Sequence, residues 1–372
     1  MSISKKSPRA LKKSLFALMC LQLASPAFAG ASTQKPAKAP KARSAPAVVT
    51  AEDRYARRCV THAPDRADRP QGTLLWGTKH GWDGRPAGDE QRSVLVSVGL
   101  DRLVQGDVGV KALRLDGGRL VASPAASSGV VGAVLQGAAS DGQPVEVAIC
   151  GAEPSPEDPS MVWYRIEAWN PVAQEWENPC AGTGDIPDPR ALAVGGVWDA
   201  SGAHQRAPGK LTFACENGAI TKCATWGYKP WASRDGRSLA ELHQACTRMA
   251  RADYCGNGRS HTRDNTVIDL YDSAGVMTRA TEATADWDPA RGSFEAAWAA
   301  DGASCLARTR DGRALETILQ ECPGRFEAGP GMDLGDGDRC AAQRPGLKRE
   351  DVLLRNRSYA APRAAVTESG RK

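Results

Sequence analysis

Recognisable catalytic signatures are missing from this 372-residue sequence. It contains no G-x-S-x-G, H-E-x-x-H, Walker A or dinucleotide-binding pattern, so the local marks of several large enzyme classes are absent. Beyond the N-terminal segment there is also no apolar run long enough to cross a bilayer. A Ser-His-Asp triad stays open, because its members need not be close in sequence. No catalytic residue, cofactor or metal ligand is therefore predicted from a motif.

The predicted mature chain has no excess of positive charge. The full sequence has 48 Lys and Arg against 43 Asp and Glu. Cleavage of the N-terminal segment described next removes five basic residues and no acidic ones, which leaves the two totals equal. A basic linker contributes part of the remaining positive charge, so the folded region is slightly acidic. The composition therefore predicts no nucleic-acid partner, which would require a basic face on the domain itself.

The first 29 residues have the pattern of a secretory signal peptide. A basic segment with five Lys and Arg precedes an apolar run over residues 15–23, and Ala27-Phe28-Ala29 fits the small-x-small cleavage site. Cleavage is expected between Ala29 and Gly30. A lipoprotein signal through Cys20 is the disfavoured alternative, because the preceding residue is not small. The sequence predicts export to the periplasm or the extracellular space.

Ten cysteines remain after cleavage of the signal peptide, and an even number in an exported chain predicts a disulfide framework. The candidates are Cys59, Cys150, Cys180, Cys215, Cys223, Cys246, Cys255, Cys305, Cys322 and Cys340. Short loops favour local bridges between Cys215 and Cys223 and between Cys246 and Cys255. Bridges that cross to other segments stay open, because connectivity does not follow from the sequence.

Composition divides the chain into five segments. After the signal peptide at 1–29, residues 30–50 are an Ala, Pro and Lys linker without acidic residues, which predicts a flexible tether. Residues 51–128 are expected to be β-rich and are not assigned to a known domain. Residues 129–345 are expected to form the main domain, and 346–372 a polar tail.

The patterning predicts an α+β fold that is predominantly antiparallel β, with one clear helix. Strands are expected at 92–99, 209–215 and 266–272, and strand pairs within 110–123, 132–150 and 161–180. Ser238 to Glu241 reads as a capping box, and apolar residues then recur at helical spacing, so a helix is predicted over about 238–252. A shorter helix is expected within 218–228.

The stretch from His243 to Thr262 raises two chemical hypotheses. A Cys-His pair could form a nucleophile, or His243, Cys246 and Cys255 could ligate zinc. The competing interpretation is a helix fixed by disulfides, with His243 as a partly buried hydrogen-bonding residue. The oxidising compartment expected for an exported protein favours this third interpretation, because cysteines form disulfides there. The absence of closely spaced zinc ligands, such as C-x-x-C or H-x-x-x-H, also favours it.

The segments "TFACENGAITKCATWGYKPW" and "LHQACTRMARADYCGNGRSHTRDNTVIDLYD" resemble the ADYC domain family. The family motif stands here as Ala252, Asp253, Tyr254 and Cys255. The resemblance is specific from about Phe213 to Asp272. It implies a bacterial, exported protein and a fold unit, and it implies no activity.

Two further groups of residues have a possible binding role. Asp253, Asp264, Asp269 and Asp272 could hold calcium, although capping and turn roles are commoner for such residues. The many tryptophans, Trp76, Trp82, Trp163, Trp169, Trp176, Trp198, Trp226 and Trp231 among them, favour core packing over an exposed platform for sugars or peptides. The segment Gly227 to Trp231 is the best candidate for an exposed aromatic element.

These observations favour a non-catalytic binding or structural protein whose partner is an unknown envelope or extracellular ligand. The alternative is a hydrolase or zinc-dependent protein that uses His243, Cys246 and Cys255. The redox state of the two cysteines separates these hypotheses, since catalysis or zinc binding requires thiolates.

Mass spectrometry of the protein recovered from its native compartment tests the predicted export. The mature chain is expected to begin at Gly30 because cleavage follows Ala29. A chain that retains Met1, or that begins with a lipid-modified Cys20, would contradict this prediction.

Overall fold

The computed structural model describes residues 50–60, 74–78, 95–105, 110–124, 129–183, 185–262, 266–329 and 331–359. The predicted signal peptide with Cys20, Ala29 and Gly30 lies outside the described residues. So do residues 30–49 of the predicted linker, Trp82 and Asp264.

The first part of the fold is built from antiparallel strands. They are β1 (Leu95–Gln105), β2 (Ala112–Asp116), β3 (Arg119–Ser123), β4 (Val134–Ala139), β5 (Pro144–Pro154), β6 (Val162–Asn170), β7 (Glu175–Glu177), β8 (Ala191–Gly195), β9 (Val197–Trp198), β10 (His204–Gln205) and β11 (Lys210–Cys215). The hairpins predicted within 110–123, 132–150 and 161–180 are confirmed.

Six of these strands form a closed barrel in the order β5-β4-β1-β11-β8-β6. The sheet closes because β6 also pairs with β5, with Val147 opposite Ala168. Closure leaves no unpaired strand edge within the barrel. β1 lies in the region left unassigned by the sequence, yet it occupies the position between β4 and β11. Residues on both sides of position 128 therefore belong to one structure.

Strand β8 illustrates how both faces of the barrel wall are buried. Ala191 and Ala193 face the barrel interior, whereas Leu192 and Val194 join a second apolar cluster outside it. Successive side chains of a strand point to opposite faces, so alternate residues of β8 reach the two clusters.

The hairpin β2–β3 joins the interior core, and the backbone N–H of Leu120 donates to the buried hydroxyl of Tyr164 at 2.7 Å.

The second part of the fold is a six-stranded antiparallel sheet in the order β14-β19-β15-β16-β18-β17. A short hairpin, β12 (Ser233–Arg234) with β13 (Arg237–Ser238), precedes it. The sheet contains β14 (Ile268–Asp272), β15 (Gly292–Ala299), β16 (Gly302–Leu306), β17 (Glu327–Ala328), β18 (Ala342–Gln343) and β19 (Leu354–Tyr359).

Strand β19 corrects the prediction of a polar tail over 346–372. It lies between β14 and β15 inside the sheet. The strand reads as polar, but its polar residues have partners: Arg357 pairs with Asp269, and Asn356 accepts a hydrogen bond from the Trp298 indole at 2.8 Å. Burying paired polar groups costs far less than burying unpaired ones, so a hydrophilic sequence can form an inner strand. Residues 360–372 lie outside the described residues.

Four short α-helices are present in the described ranges: α1 (Ala51–Ala56), α2 (Ala219–Thr225), α3 (Ala240–Arg251) and α4 (Leu315–Glu321). A single 3₁₀ turn lies at Arg349–Asp351. Helix α3 is the predicted clear helix, and α2 is the shorter one expected within 218–228. A predominantly antiparallel β fold with few helices is thus confirmed.

The capping box predicted at Ser238 is wrong. Leu239 is the N-cap of α3 and makes no side-chain capping bond, whereas the Ser238 hydroxyl accepts a hydrogen bond from the Ala240 N–H at 3.2 Å. The reason is that Ser238 pairs with Ser233 in the short hairpin β12–β13, so the helix begins one residue later.

Helix α3 is buried nearly all round rather than along one stripe. Every residue from Leu242 to Arg251 is buried, including His243, Gln244 and Arg248. The helix lies between α2 and strands of the second sheet, and the Cys223–Cys246 disulfide joins it to α2. A helix in this position has no solvent-facing side, which explains its buried polar residues.

All ten predicted cysteines form disulfides. The pairs are Cys59–Cys150, Cys180–Cys215, Cys223–Cys246, Cys255–Cys322 and Cys305–Cys340. The favoured local bridges, Cys215 with Cys223 and Cys246 with Cys255, are wrong. Each of these cysteines is bonded to a different element, because strand pairing and helix packing bring distant segments together.

Within the described ranges, every helix is too short or too polar to span a membrane.

Candidate functional site

The four-residue motif Ala252 to Cys255 stands at the C-terminal end of α3. Ala252 is the C-cap and adopts the left-handed conformation, with φ 51° and ψ 42°. Glycine usually fills this position because it has no Cβ. The Ala252 side chain is instead packed in the core cluster around α3. The backbone N–H of Asp253 then donates to the Arg248 carbonyl at 2.9 Å, which ends the helix.

The Asp253 carboxylate is buried and fully engaged. It accepts hydrogen bonds from the Arg248 guanidinium at 2.6 Å and from the backbone N–H groups of Asn257 at 3.1 Å and Gly258 at 2.9 Å. Arg248 also donates to the carbonyls of Ser201 and Ala300. Because the other partners of this carboxylate are backbone groups of the same loop, its geometry fixes a turn.

Tyr254 joins a second buried network at the same end of the helix. Its ring stacks on Trp298 with 5.5 Å between centroids, and its hydroxyl accepts a hydrogen bond from the Arg310 N–H at 2.7 Å. Burial raises the pKa of Tyr254, so the hydroxyl stays neutral. The same hydroxyl donates to Glu295 at 3.3 Å.

Glu295 and Arg310 form a fully buried two-bond pair, at 2.8 and 3.1 Å. Burial alone would raise the pKa of Glu295, but the charge and hydrogen bonds of Arg310 outweigh it and lower that pKa. A charge pair without solvent access holds the sheet against the helix and offers no reactive group.

His243 is also buried and does not approach a reactive partner. Its Nε2 lies 3.0 Å from the carbonyl oxygen of Ile220, which can only accept, so Nε2 carries the proton. Its ring packs against Trp198 in a T-shaped arrangement, with 5.8 Å between the ring centroids. Burial lowers the pKa of His243 to about 4, although the bond to Ile220 opposes the shift. The residue is a neutral donor that joins α3 to α2.

The structure does not bring His243, Cys246 and Cys255 together as a nucleophile or zinc site. Cys246 is bonded to Cys223, and Cys255 to Cys322. Neither sulfur is a thiolate in this state, and both functions require thiolates.

The predicted carboxylate cluster is dispersed among separate partners. Asp269 pairs with Arg357 at 2.6 Å, and Asp272 accepts a hydrogen bond from the Tyr228 hydroxyl at 2.7 Å. Asp253 is engaged as described above. Among the described residues, the one group with ligand atoms close enough for a metal is Cys59, Cys150 and Glu167, and two of its members are bonded to each other.

Most tryptophans have the predicted structural role. Trp76, Trp163, Trp169, Trp176 and Trp198 are buried in apolar clusters. Trp226 and Trp231 are half-buried. The exposed aromatic element predicted within Gly227 to Trp231 is wrong for Tyr228, which is fully buried, and Trp231 is only partly exposed. Lys229, beside it, pairs with Asp158.

Trp231 lines an open cleft of about 850 Å³ between the barrel and the segment that leads into α3. One wall comes from β1, β2 and the turn at Gly195–Gly196. The others come from residues 204–210 and from Pro230, Trp231, Ser238 and Ala240. A volume of this order is typical of pockets for small molecules.

Glycines in the β2–β3 turn fix the position of the Trp231 ring. A Cβ on Gly117 would lie 3.1 Å from this indole, and one on Gly118 would lie 2.9 Å from it. Gly117 also has a φ of +60°. Only residues without a side chain allow the ring to lie this close to the turn. The two glycines therefore let the turn pack closely against the Trp231 ring and hold it in place.

The rim of the cleft is mainly basic. Arg114, Arg206 and Lys210 are exposed lining residues, and Asp101 is the acidic residue among the lining side chains. His204 also lines the cleft, with Nε2 3.1 Å from the Gly195 carbonyl oxygen. Burial and the nearby Arg206 charge lower the pKa of His204, so its ring is neutral.

Sequence reasoning identified the Trp231 segment but missed the rest of this cleft. His204, Arg206 and Lys210 lie within residues 204–210, but Arg114 and Trp231 come from other segments that the fold brings to them. The available signal was the concentration of glycine and proline at 195–196, 208–209 and 230, where turns bring backbone segments together.

Fold and site define a disulfide-bonded, mainly antiparallel β protein in which one buried helix joins a closed barrel to a second sheet. A family model for the ADYC domain matches residues 127–312, which is half of the chain. The chain belongs to the ADYC domain family. No curated protein and no solved structure matches it. The match omits β1 and β19, although β1 lies between β4 and β11 in the barrel and β19 lies inside the second sheet.

The substitution His243→Gln tests the structural assignment of this residue. Between about pH 6.5 and 4 the unfolded histidine binds a proton and the folded one does not, so the free energy of unfolding of the wild type falls as pH falls. The contribution is about 3 kcal/mol for a shift of this size. Glutamine keeps a donor for Ile220 and does not titrate, so the variant should depend less on pH in this window.

Denaturant unfolding across this pH range is the measurement. His204→Gln is the matched control, and its effect should be smaller because His204 is only half-buried. Parallel pH profiles for wild type and His243→Gln would contradict the assignment.

Proposed function

We propose that the chain is an exported, non-catalytic binding protein of the bacterial periplasm, envelope or exterior, and that its ligand lies in the cleft beside Trp231. The main support for the proposal is this cleft. There the indole of Trp231 packs against the glycine turn and lies beside open space and basic side chains. An aromatic ring held in place provides contact area with little loss of entropy on binding.

The disulfide framework supports the exported location. Five bridges form in the described part of the chain and include all ten cysteines of the predicted mature protein. Such frameworks persist in oxidising compartments and are rare in the cytosol. The equal numbers of acidic and basic residues in the predicted mature chain favour no nucleic-acid partner.

The Cys-His hydrolase and zinc alternatives receive less support. Both would require reduction of the Cys223–Cys246 or Cys255–Cys322 bridge. His243 would in addition have to give up its bond to the Ile220 carbonyl.

The substitution Trp231→Ala tests the binding function. Co-sedimentation of the mature protein with insoluble envelope glycan fractions is the measurement. The wild type is expected to bind, and the variant is expected to bind at least about tenfold more weakly because it loses a central aromatic contact. Trp226→Ala is the matched control, since Trp226 is also half-buried but does not line the cleft.

The control should keep its affinity. Failure of the wild type to bind any fraction, or equal binding by Trp231→Ala, would refute a binding role for the cleft. Turnover of a substrate by the wild type would refute the absence of catalysis.

A further inference from the structure

We propose that the ligand of the cleft is a saccharide that carries carboxylate groups. This inference rests on the proposed binding function and adds the chemical class of the ligand. Two features of the cleft lead to it, namely the planar surface of Trp231 and the positive charge of the rim.

The Trp231 ring suits one face of a sugar ring. The glycine turn lies against the indole, so the ring cannot retreat when a ligand presses on it. The face of an indole is apolar and carries negative potential, and the C–H groups on one face of a pyranose are apolar and weakly positive. Stacking of the two rings buries both faces without leaving a hydroxyl group unsatisfied.

The basic rim supplies charges that are not used within the protein. Arg206 and Lys210 are exposed and make no ion pair among the described residues. Arg114 pairs only with Asp116, two positions along the same strand, at 3.3 Å in an exposed geometry. Such a pair contributes little and is easily exchanged for a ligand carboxylate.

Local charge differs from that of the whole chain. The predicted mature protein has equal numbers of acidic and basic residues, whereas the cleft has three cations against Asp101. Concentration of one sign in a concave surface attracts ligands of the opposite sign.

Within the described residues, the barrel wall of the cleft has no free strand edge to which an acidic peptide could add. Extended peptides are commonly bound by addition to an exposed strand edge. The barrel strands β1 and β8, which border the cleft, are paired on both sides, whereas β2 and β10 belong to two-stranded sheets and each have one unpaired edge in the described part of the chain. The remaining lining is largely turns rich in glycine and proline, which leave room for a ring above the indole.

Titration calorimetry with three probes tests the ligand class. The probes are a galacturonic acid trimer, its fully methyl-esterified form, and tri-glutamate. The trimer should bind, and the ester should bind about tenfold more weakly because it keeps the rings and lacks the charges. Tri-glutamate carries the charges without the rings and should bind more weakly than the trimer.

Two charge-reversal variants localise the interaction. Arg206→Glu should weaken binding of the trimer by about fivefold or more, and the loss should shrink at high salt because exposed charges are screened. Arg57→Glu is the matched control, since Arg57 is exposed and does not line the cleft. It should leave the affinity unchanged.

The outcomes separate this inference from the proposed function. Equal binding of the trimer and its ester would overturn the carboxylate requirement. Tighter binding of tri-glutamate would indicate a peptide partner, and no binding of any probe would overturn the saccharide class. In each case the binding function is judged separately, by co-sedimentation of Trp231→Ala with the envelope fractions.

Discussion

The buried contact between Arg248 and Asp253 connects the main parts of the structure. Their side chains are 3% and 1% exposed. One guanidinium reaches the carbonyl of Ser201 beside the barrel, the carboxylate at the end of α3, and the carbonyl of Ala300 in the second sheet's β15–β16 turn. A buried charge that loses its partner costs several kcal/mol. This one guanidinium therefore contacts the barrel side, the helix and the sheet together.

The other side chains of the family motif make structural contacts as well. Asp253 closes the turn after α3, Tyr254 packs on Trp298, and Cys255 is bonded to Cys322. Each of these three side chains makes contacts that stabilise the fold. The features suited to a ligand lie elsewhere, around Trp231, where an indole and several cations remain accessible. Structural and functional residues thus occupy different parts of the same domain.

The sequence predicted local features well and long-range ones poorly. The hairpin at Asp141-Gly142 and helix α3 follow from turn residues and periodicity. The inner strand β19 was missed because its polarity is compensated by partners far away in sequence, as with Arg357 and Asp269. The disulfide partners were missed for the same reason, as was the approach of Arg114 and Trp231 to Arg206 and Lys210. Trp231 could be singled out because Pro230 indicates a turn, although the exposure predicted for the segment is wrong for Tyr228, which is buried.

Unfolding of Asp253→Asn with and without the galacturonic acid trimer tests the central claim that the motif supports the fold and the cleft binds the ligand. The variant should lose about 3 kcal/mol of unfolding free energy, because Arg248 loses its charged partner. Saturating trimer should still raise that free energy by the same amount as in the wild type, because the cleft is intact. If the Asp253→Asn variant were as stable as the wild type and the trimer did not stabilise it, the account would be contradicted. The ligand site would then lie at the motif.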